Sequence, residues 1–353
     1  KIPFLHLTQP SQISFTGEFA QLIAGEAGGT QDNASYIDDF EGTKTTIDVT
    51  TPTSWFISSV PSLNFKDDYS DKTGLSSGFH RSRLAWYTID PLFTRRGSSL
   101  TPGHIKGDLK QLSNHYVREV YTKELFPLRD QSSYQGATNT LNVLNLAYYP
   151  SEPGPYNFNV TDLQADGTLQ NPQRNWGGMM RKLDTNDFEQ ANIEYIEFWM
   201  LDPFIYSREE ADAADYGGDF YINLGEVSED ILRDGKKFYE SGMPVDGSKR
   251  YTYTQWGKIP TQSTVTYAFA TTSGSRALQD VGFNGLTDAE EQEFYKSAYL
   301  DQIQGKVNQA VFDSIFADPA RDDYHYFRGS DWDEMRAPIL QRYKYINNPQ
   351  GNS

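Results

Sequence analysis

Asn192–Leu201 reads Asn-Ile-Glu-Tyr-Ile-Glu-Phe-Trp-Met-Leu, and Trp176–Leu183, just upstream, reads Trp-Gly-Gly-Met-Met-Arg-Lys-Leu. Both are short runs of aromatic and long apolar residues between polar breaks, the pattern of core strands. Working outward, Leu141–Tyr149 alternates Leu141 and Val143, then Leu144, Leu146 and Tyr148. That is one strand with a phase slip or bulge. Phe220–Leu224 is a further strand, and Thr264–Ala270 alternates Val265, Tyr267 and Phe269. Toward the N-terminus, Trp55–Val60, Thr45–Val49 and Tyr36–Gly42 read as strands. Residues 11–24 carry Ile13, Phe15, Gly17 and Phe19 with period two, ending at the glycine-rich Gly25–Gly29.

Helical signals come later. Tyr116–Leu125 is a short helix ended by Pro127. Ser228 caps a helix over Ile231–Phe238, with Glu229 and Asp230 at its positive end. Asp288–Val307, Gln309–Phe316 and Leu340–Tyr345 are helical. Residues 62–82 are a polar loop, and 83–130 are ambiguous apart from the helix at their end. The expected fold is mainly β, a β-sandwich or jelly-roll-like core, with several helices mostly in the C-terminal third. The expected organisation is an N-terminal strand segment over 1–35, a jelly-roll-like sandwich with inserted loops over 36–270 and a helical segment over 271–353.

Composition removes several classes. The 353 residues carry a net charge of −17 with an isoelectric point near 4.7, so sequence-independent nucleic-acid binding is disfavoured. Apolar runs such as Phe198–Leu201 stop at four residues, whereas a spanning helix needs about 18 or more. There is no cysteine, hence no disulfide, thiolate nucleophile or cysteine-ligated metal. Lys1 at the start and the loop-like Asn347–Ser353 at the end suggest a piece of a longer chain.

Few motifs carry chemistry. Gly74-Leu75-Ser76-Ser77-Gly78 spells a nucleophile elbow, but the polar Asp67–Lys72 precedes it where a hydrophobic strand is required. The five histidines show no metal-binding spacing, and no phosphate-cradling glycine motif occurs. Alternation sends Asp39 and Glu41 to one strand face. They are candidates for a glycosidase acid and base, for calcium ligands, or for a solvated strand end. Asp280–Glu291 places Asp280, Asn284, Gly285, Asp288 and Glu291 at positions 1, 5, 6, 9 and 12 of a calcium-loop spacing. Gly282 stands at position 3, where an oxygen ligand is expected, and Asp288 could equally serve as a helix cap. Calcium is the one cofactor suggested. Trp176 and Trp256 each precede a glycine and are candidates for a sugar-stacking surface, whereas Trp199 reads as core.

Tyr36–Thr43 resembles the opening strand of galactose-binding-like and carbohydrate-binding jelly rolls, and Ile193–Trp199 a later strand of such sandwiches. Longer strings are more specific. They are Arg83–Phe93, Leu146–Glu152, Trp176–Lys182, Asn192–Phe204, Asn223–Leu232, Gln279–Glu291, Tyr326–Asp331 and Arg342–Ser353. Together, in order from about residue 13 to the end, they resemble the SprA/Sov family, outer-membrane translocon proteins of the type IX secretion system linked to gliding motility. The resemblance implies a fragment of a very large β-barrel that passes folded cargo bearing a C-terminal sorting domain. It implies as partners the rest of the barrel, a PorV-like shuttle protein and a periplasmic plug protein. It also implies a role in conduction rather than bond chemistry, so no enzymatic activity is expected. The fragment is expected at the bacterial outer membrane or cell surface but outside the bilayer, as a cap or inserted domain. The alternative is a carbohydrate-binding jelly-roll module of a cell-surface protein. A hydrolase using Asp39 and Glu41 is a third reading.

Overall fold

The computed structural model describes residues 47–66, 68, 74–95, 97–128, 140–185, 187–191, 193–206, 217–236, 248–261, 282–323 and 325–345. The chain divides into two units, Lys1–Thr46 with Asp187–Phe198, and Ile47–Asn186 with Trp199–Ser353. The described part of the first unit begins with a turn. There the Asp187 carboxylate accepts from the Gln190 amide at 2.9 Å, and the Phe188 carbonyl accepts from the Ile193 amide at 2.8 Å.

The second unit is organised around one strand. Counting strands in chain order, β2 (Ser82–Tyr87) pairs antiparallel with β5 (Asn145–Pro153), with Trp86 opposite Leu146 and Arg83 opposite Tyr149. Successive side chains of a strand point to opposite faces. Trp86, with Leu84 packed alongside, therefore joins a core of Tyr156, Phe158, Trp256, Tyr295, Tyr299, Leu300 and Ile303. Ala85 and Tyr87 join a second core of Phe93, Ile105, Val117, Ile339 and Tyr343. Both faces of β2 are covered, so its sequence lacks the polar-apolar alternation of a half-buried strand. That is why residues 83–87, at the head of the ambiguous stretch, do not read as a strand; the remainder is built largely of short single turns.

The phase slip expected within Leu141–Tyr149 is present. β4 (Thr140–Leu141) pairs with β3 (Val120–Tyr121), the chain breaks, and β5 starts at Asn145. A second irregularity sits between Ser82 and Arg83, where Pro150, which has no amide proton, leaves the ladder. Ser82 compensates by donating its hydroxyl to the Pro150 carbonyl at 2.8 Å. β1 (Phe56–Ile57) pairs with β6 (Met179–Met180), and β7 (Tyr251–Tyr253) with β8 (Lys258–Pro260).

The expected mixture of antiparallel strands, with helices gathered in the C-terminal third, is therefore present. Helix exceeds strand, 26% against 14% of described residues, and the ladders are two-stranded rather than the broad sheets of a jelly roll. Helices α1 (Pro91–Thr94), α2 (Gly103–Lys106), α3 (Leu109–Leu112) and α4 (Thr122–Leu125) are single turns. Only α4 falls within the helix expected over Tyr116–Leu125, because β3 occupies the preceding residues. The C-terminal third holds α5 (Asp288–Phe294), a π turn at Lys296–Leu300, α6 (Asp301–Ile303), α7 (Gln309–Ala317), α8 (Ser330–Glu334) and α9 (Ile339–Arg342). These helices supply residues to both cores around β2, so the region after 270 and the strand region before it share their interiors.

Several expected elements differ, among them the strand expected at Thr45–Val49, whose described residues 47–49 lie in no strand. Residues 228–236 form turns rather than a helix. Arg233 (φ 44°) and Gly235 (φ 77°) leave the right-handed region, and the Asp230 carboxylate accepts from the Asp234 and Gly235 amides at 3.2 and 2.9 Å. Described residues 193–201 and Phe220–Leu224 belong to no ladder. Their apolar side chains are open to solvent, with Tyr195 75%, Trp199 69% and Phe220 63% exposed. Trp199 is therefore not a core residue. The strands expected at 11–24, Tyr36–Gly42 and Thr264–Ala270 lie outside the described residues.

Candidate functional site

The chemistry-bearing side chains converge between α5 and the end of α7. Thr287 caps α5 in a reciprocal box, and its amide donates to Glu290 Oε2 at 3.1 Å. Capping fixes the helix phase, which turns Glu291 inward to 1% exposure. Its Oε1 accepts from Asn284 Nδ2, and its Oε2 accepts from the Ala320 amide at 2.9 Å. Asn284 Oδ1 accepts from the Leu286 amide at 2.9 Å, shaping the turn that leads into the helix. Gly285 sits at φ 67°, which suits a glycine at the sharp bend.

The opposite wall is Asp318-Pro319-Ala320-Arg321-Asp322-Asp323. Pro319 ends α7, and the chain folds back so that the Asp322 amide donates to Asp318 Oδ1 at 3.2 Å. Carboxylate oxygens of Glu291, Asp318 and Asp322 lie within 4.8 Å of one another. A second set, Asp288, Asp318 and Asp323, meets the same limit and shares Asp318. Tyr156 closes the floor. It is fully buried, its hydroxyl accepts from the Phe283 amide, and its own amide donates to the Ala320 carbonyl at 2.8 Å.

The electrostatics are those of crowded, desolvated acids. Burial, and then the neighbouring Asp322, push the Glu291 carboxyl well above the ordinary carboxylate range. Burial, and then Asp318, do the same to Asp322. Burial raises Asp318, opposed by the Arg321 guanidinium. Arg321 is itself engaged elsewhere, donating to the Asn157 carbonyl at 2.9 Å and the Tyr299 hydroxyl at 2.8 Å. Like charges out of water either keep protons or share a cation.

The sequence candidates fare unevenly. Asn284, Asp288 and Glu291 come to one region, with Asn284 turning its amide nitrogen to Glu291. Asp280, Asp39 and Glu41 lie outside the described residues. Trp176 and Trp256 are 5% and 1% exposed, so neither ring offers a face to a sugar. Trp176 lies against the Arg81 guanidinium, and Trp256 packs beside Phe158. The elbow-like Leu75–Gly78 is a single 3-10 turn. Beside it the His80 ring pairs with the Asp68 carboxylate at 2.7 Å, while the buried Ser77 hydroxyl has no hydrogen-bond partner. Asp318, Asp322 and Asp323 were missed. The acids straight after a helix-stopping Asp-Pro are visible in the sequence, but nothing in it places them against Glu291.

A family model described as SprA_N, a motility related/secretion protein, matches residues 298–353. The C-terminal part of this chain is SprA-related. The matched segment starts just beyond α5 and contains Asp318, Asp322 and Asp323 as well as the core residues Tyr299, Leu300, Ile303, Ile339 and Tyr343. No curated protein matches the chain closely. The SprA_N match relates the C-terminal part of the chain to motility and secretion proteins. No helix among the described residues is long and apolar enough to cross a membrane.

Proposed function

We propose that this chain is a part, lying outside the bilayer, of an outer-membrane translocon that exports folded cargo in the type IX secretion system and serves gliding motility. The SprA_N match over 298–353 carries the reading. Its role is structural or gating, without bond chemistry. Its partners are the rest of the barrel, a PorV-like shuttle protein, a periplasmic plug protein and cargo with a C-terminal sorting domain. Two further features support it. The net charge of −17 and mean hydropathy of −0.65 suit a surface in contact with water. The apolar stretches at 195–201 and 220–224 are larger than single scattered exposed residues, and exposed apolar stretches of this kind mark contact surfaces. The occupant proposed for them is the remainder of the same translocon.

The test is depletion of the full-length parent in its native cell, followed by fractionation of sorting-domain cargo. Accumulation in the periplasm with loss from the surface and medium is the expected result. Normal export would overturn the reading.

A further inference from the structure

We propose that residues 220–224 are a docking strand for an extended, basic segment of a partner, which adds to them edge to edge as in a β-sheet. The inference rests on the reading of this stretch as a contact surface and gives its occupant a chemistry.

The backbone decides the mode of docking. Residues 217–224 run without turn, bend or helix until the chain bends at Gly225, which sits at φ 117°. Side chains of an extended run alternate, so Phe220, Ile222 and Leu224 fall on one side and Tyr221 and Asn223 on the other. The four apolar or aromatic residues Phe220, Tyr221, Ile222 and Leu224 are all exposed, and such side chains suit a pleated, half-buried surface. Among the described residues, Tyr221, Ile222, Asn223 and Leu224 take part in no backbone hydrogen bond. A strip of this kind is a template for another strand, and proteins ordinarily blunt exposed edges with charge, proline or a bulge. Residues 220–224 contain neither a charge nor a proline. A helix laid across the strip would cover its side chains and leave its backbone groups unmatched, whereas an added strand pairs both.

Charge decides the partner. From residue 209 to residue 232 the chain carries eight carboxylates and no lysine or arginine. Asp219 stands directly before the apolar residues and accepts from the Tyr221 hydroxyl at 3.1 Å, and the exposed Glu226 and Glu229 follow them. A second copy of this chain would bring the same carboxylates against its own. An anionic lipid surface attracts basic segments and repels acidic ones. A strand with an apolar centre and lysine or arginine at its ends meets both features, and the opposite charge fixes its register.

The experiment uses the full 353-residue chain. The probe is a fluorescein-labelled peptide, Lys-Lys-Thr-Val-Thr-Val-Thr-Val-Lys-Lys, followed by anisotropy and by hydrogen exchange. The expected result is saturable binding that slows amide exchange over residues 220–224 roughly tenfold when the peptide is at about ten times its dissociation constant. Raising salt from about 0.1 to about 1 M cuts the screening length from about 10 to about 3 Å and should weaken binding roughly fivefold or more. The same peptide with glutamate in place of lysine should bind roughly tenfold more weakly or worse. A peptide N-methylated at its six central residues should not bind, because strand addition uses its amides. Ile222→Lys removes an apolar side chain from the contact and should weaken binding roughly tenfold or more. Leu128→Lys makes the same charge change at another exposed apolar residue and should leave binding unchanged.

No binding of the lysine peptide at millimolar concentration overturns the proposal, and so does binding without slower exchange over residues 220–224. Equal binding of the glutamate peptide or of the N-methylated peptide does the same, as does an Ile222→Lys chain that binds as the unaltered one does. An equal effect of Leu128→Lys and Ile222→Lys would reduce the binding to net charge and also overturn it. Cargo export is read separately. Peptide binding together with normal export after depletion would remove the translocon reading alone, and cargo accumulation without peptide binding would remove the docking strand alone.

Discussion

Replacing Tyr295 by phenylalanine removes one oxygen atom from the middle of the larger core. Tyr295 is 1% exposed, and its ring lies 4.2 Å from that of Phe158 between centroids. Its hydroxyl donates to the Trp256 carbonyl, tying α5 to the turn between β7 and β8. The substitution leaves the ring packing in place, so no cavity larger than the oxygen itself opens. What remains is a buried carbonyl without its donor, which costs about 1–3 kcal/mol. Tyr295→Ala removes the ring as well, and large-aromatic truncations cost about 3–5 kcal/mol. Urea unfolding followed by tryptophan fluorescence reads both, since Trp86 and Trp256 sit in the same core. The slope against denaturant should not change for Tyr295→Phe, because the surface exposed on unfolding is nearly the same. A Tyr295→Phe chain within 0.5 kcal/mol of the parent, a margin of about half the lower bound, would refute the hydroxyl's role. A loss as large as that of Tyr295→Ala would show that the ring packing is not what the geometry says.

Three further outcomes follow from other parts of the molecule. Gly154→Ala should destabilise by about 1–3 kcal/mol or more, as over-packing does; the new Cβ would lie 2.5 Å from the Ser82 carbonyl oxygen, where backbone cannot yield cheaply. Equal stability in calorimetry would contradict the close approach of β5's end to β2. In chelator, the chain should be more stable at pH 5 than at pH 8. Burial raises the folded-state affinity of Glu291, Asp318 and Asp322 for protons above the unfolded one. The folded state therefore binds more protons, and stability is lost as pH rises from the ordinary carboxylate range, about 4, through the raised values; a flat or rising melting profile from pH 5 to 8 would refute this. Because the chain has no cysteine, Trp199→Cys and Tyr221→Cys can be followed singly. Both should label with a maleimide in the isolated chain and be protected in the assembled translocon, and equal labelling would remove the proposed contact.

What the sequence disclosed, and what it withheld, follows from the range of the forces involved. Local signals were legible. The capped helix at Asp288, the helix at Gln309–Ala317 and the break inside Leu141–Tyr149 all depend on neighbours a few residues away. Asn192–Leu201 misled because an apolar aromatic run reports what a segment is able to do. Whether it pairs depends on a partner strand elsewhere. The β2 strand misled in the opposite sense, since burial on both faces erases the alternation that identifies a strand. The acid cluster was half legible. Asn284, Asp288 and Glu291 share one turn and helix, whereas Asp318, Asp322 and Asp323 reach them only because α7 folds back across α5. The buried tryptophans were ambiguous for the same reason. A ring beside a glycine suits a sugar platform or a tight core equally well, and only packing decides.

The segment matched as SprA_N shares both of its cores with upstream residues, and its behaviour in isolation tests the whole description. Residues 298–353 amount to 56 residues, a size at which a chain buries only about 60% of its unfolded surface and is marginal even with a complete core. Here the core is shared. Tyr299, Leu300, Ile303 and Ile315 bury themselves against Trp86, Phe158 and Trp256, all upstream of the match. Ile339 and Tyr343 do so against Ala85, Tyr87 and Phe93, with the Tyr343 ring stacked 4.6 Å from Tyr87 between centroids. Each such side chain forfeits about 1.5–3 kcal/mol when its partners are removed. The sum over six residues exceeds the stability of an ordinary small domain, 5–15 kcal/mol, or equals most of it. Among the described residues of the segment the longest helix has nine residues, below the roughly 12–15 at which isolated helices become marginal in water. The excised segment should therefore show weak helicity and no cooperative melt by circular dichroism. A sharp thermal transition of the segment alone would mean that β2 is not the spine of this fold.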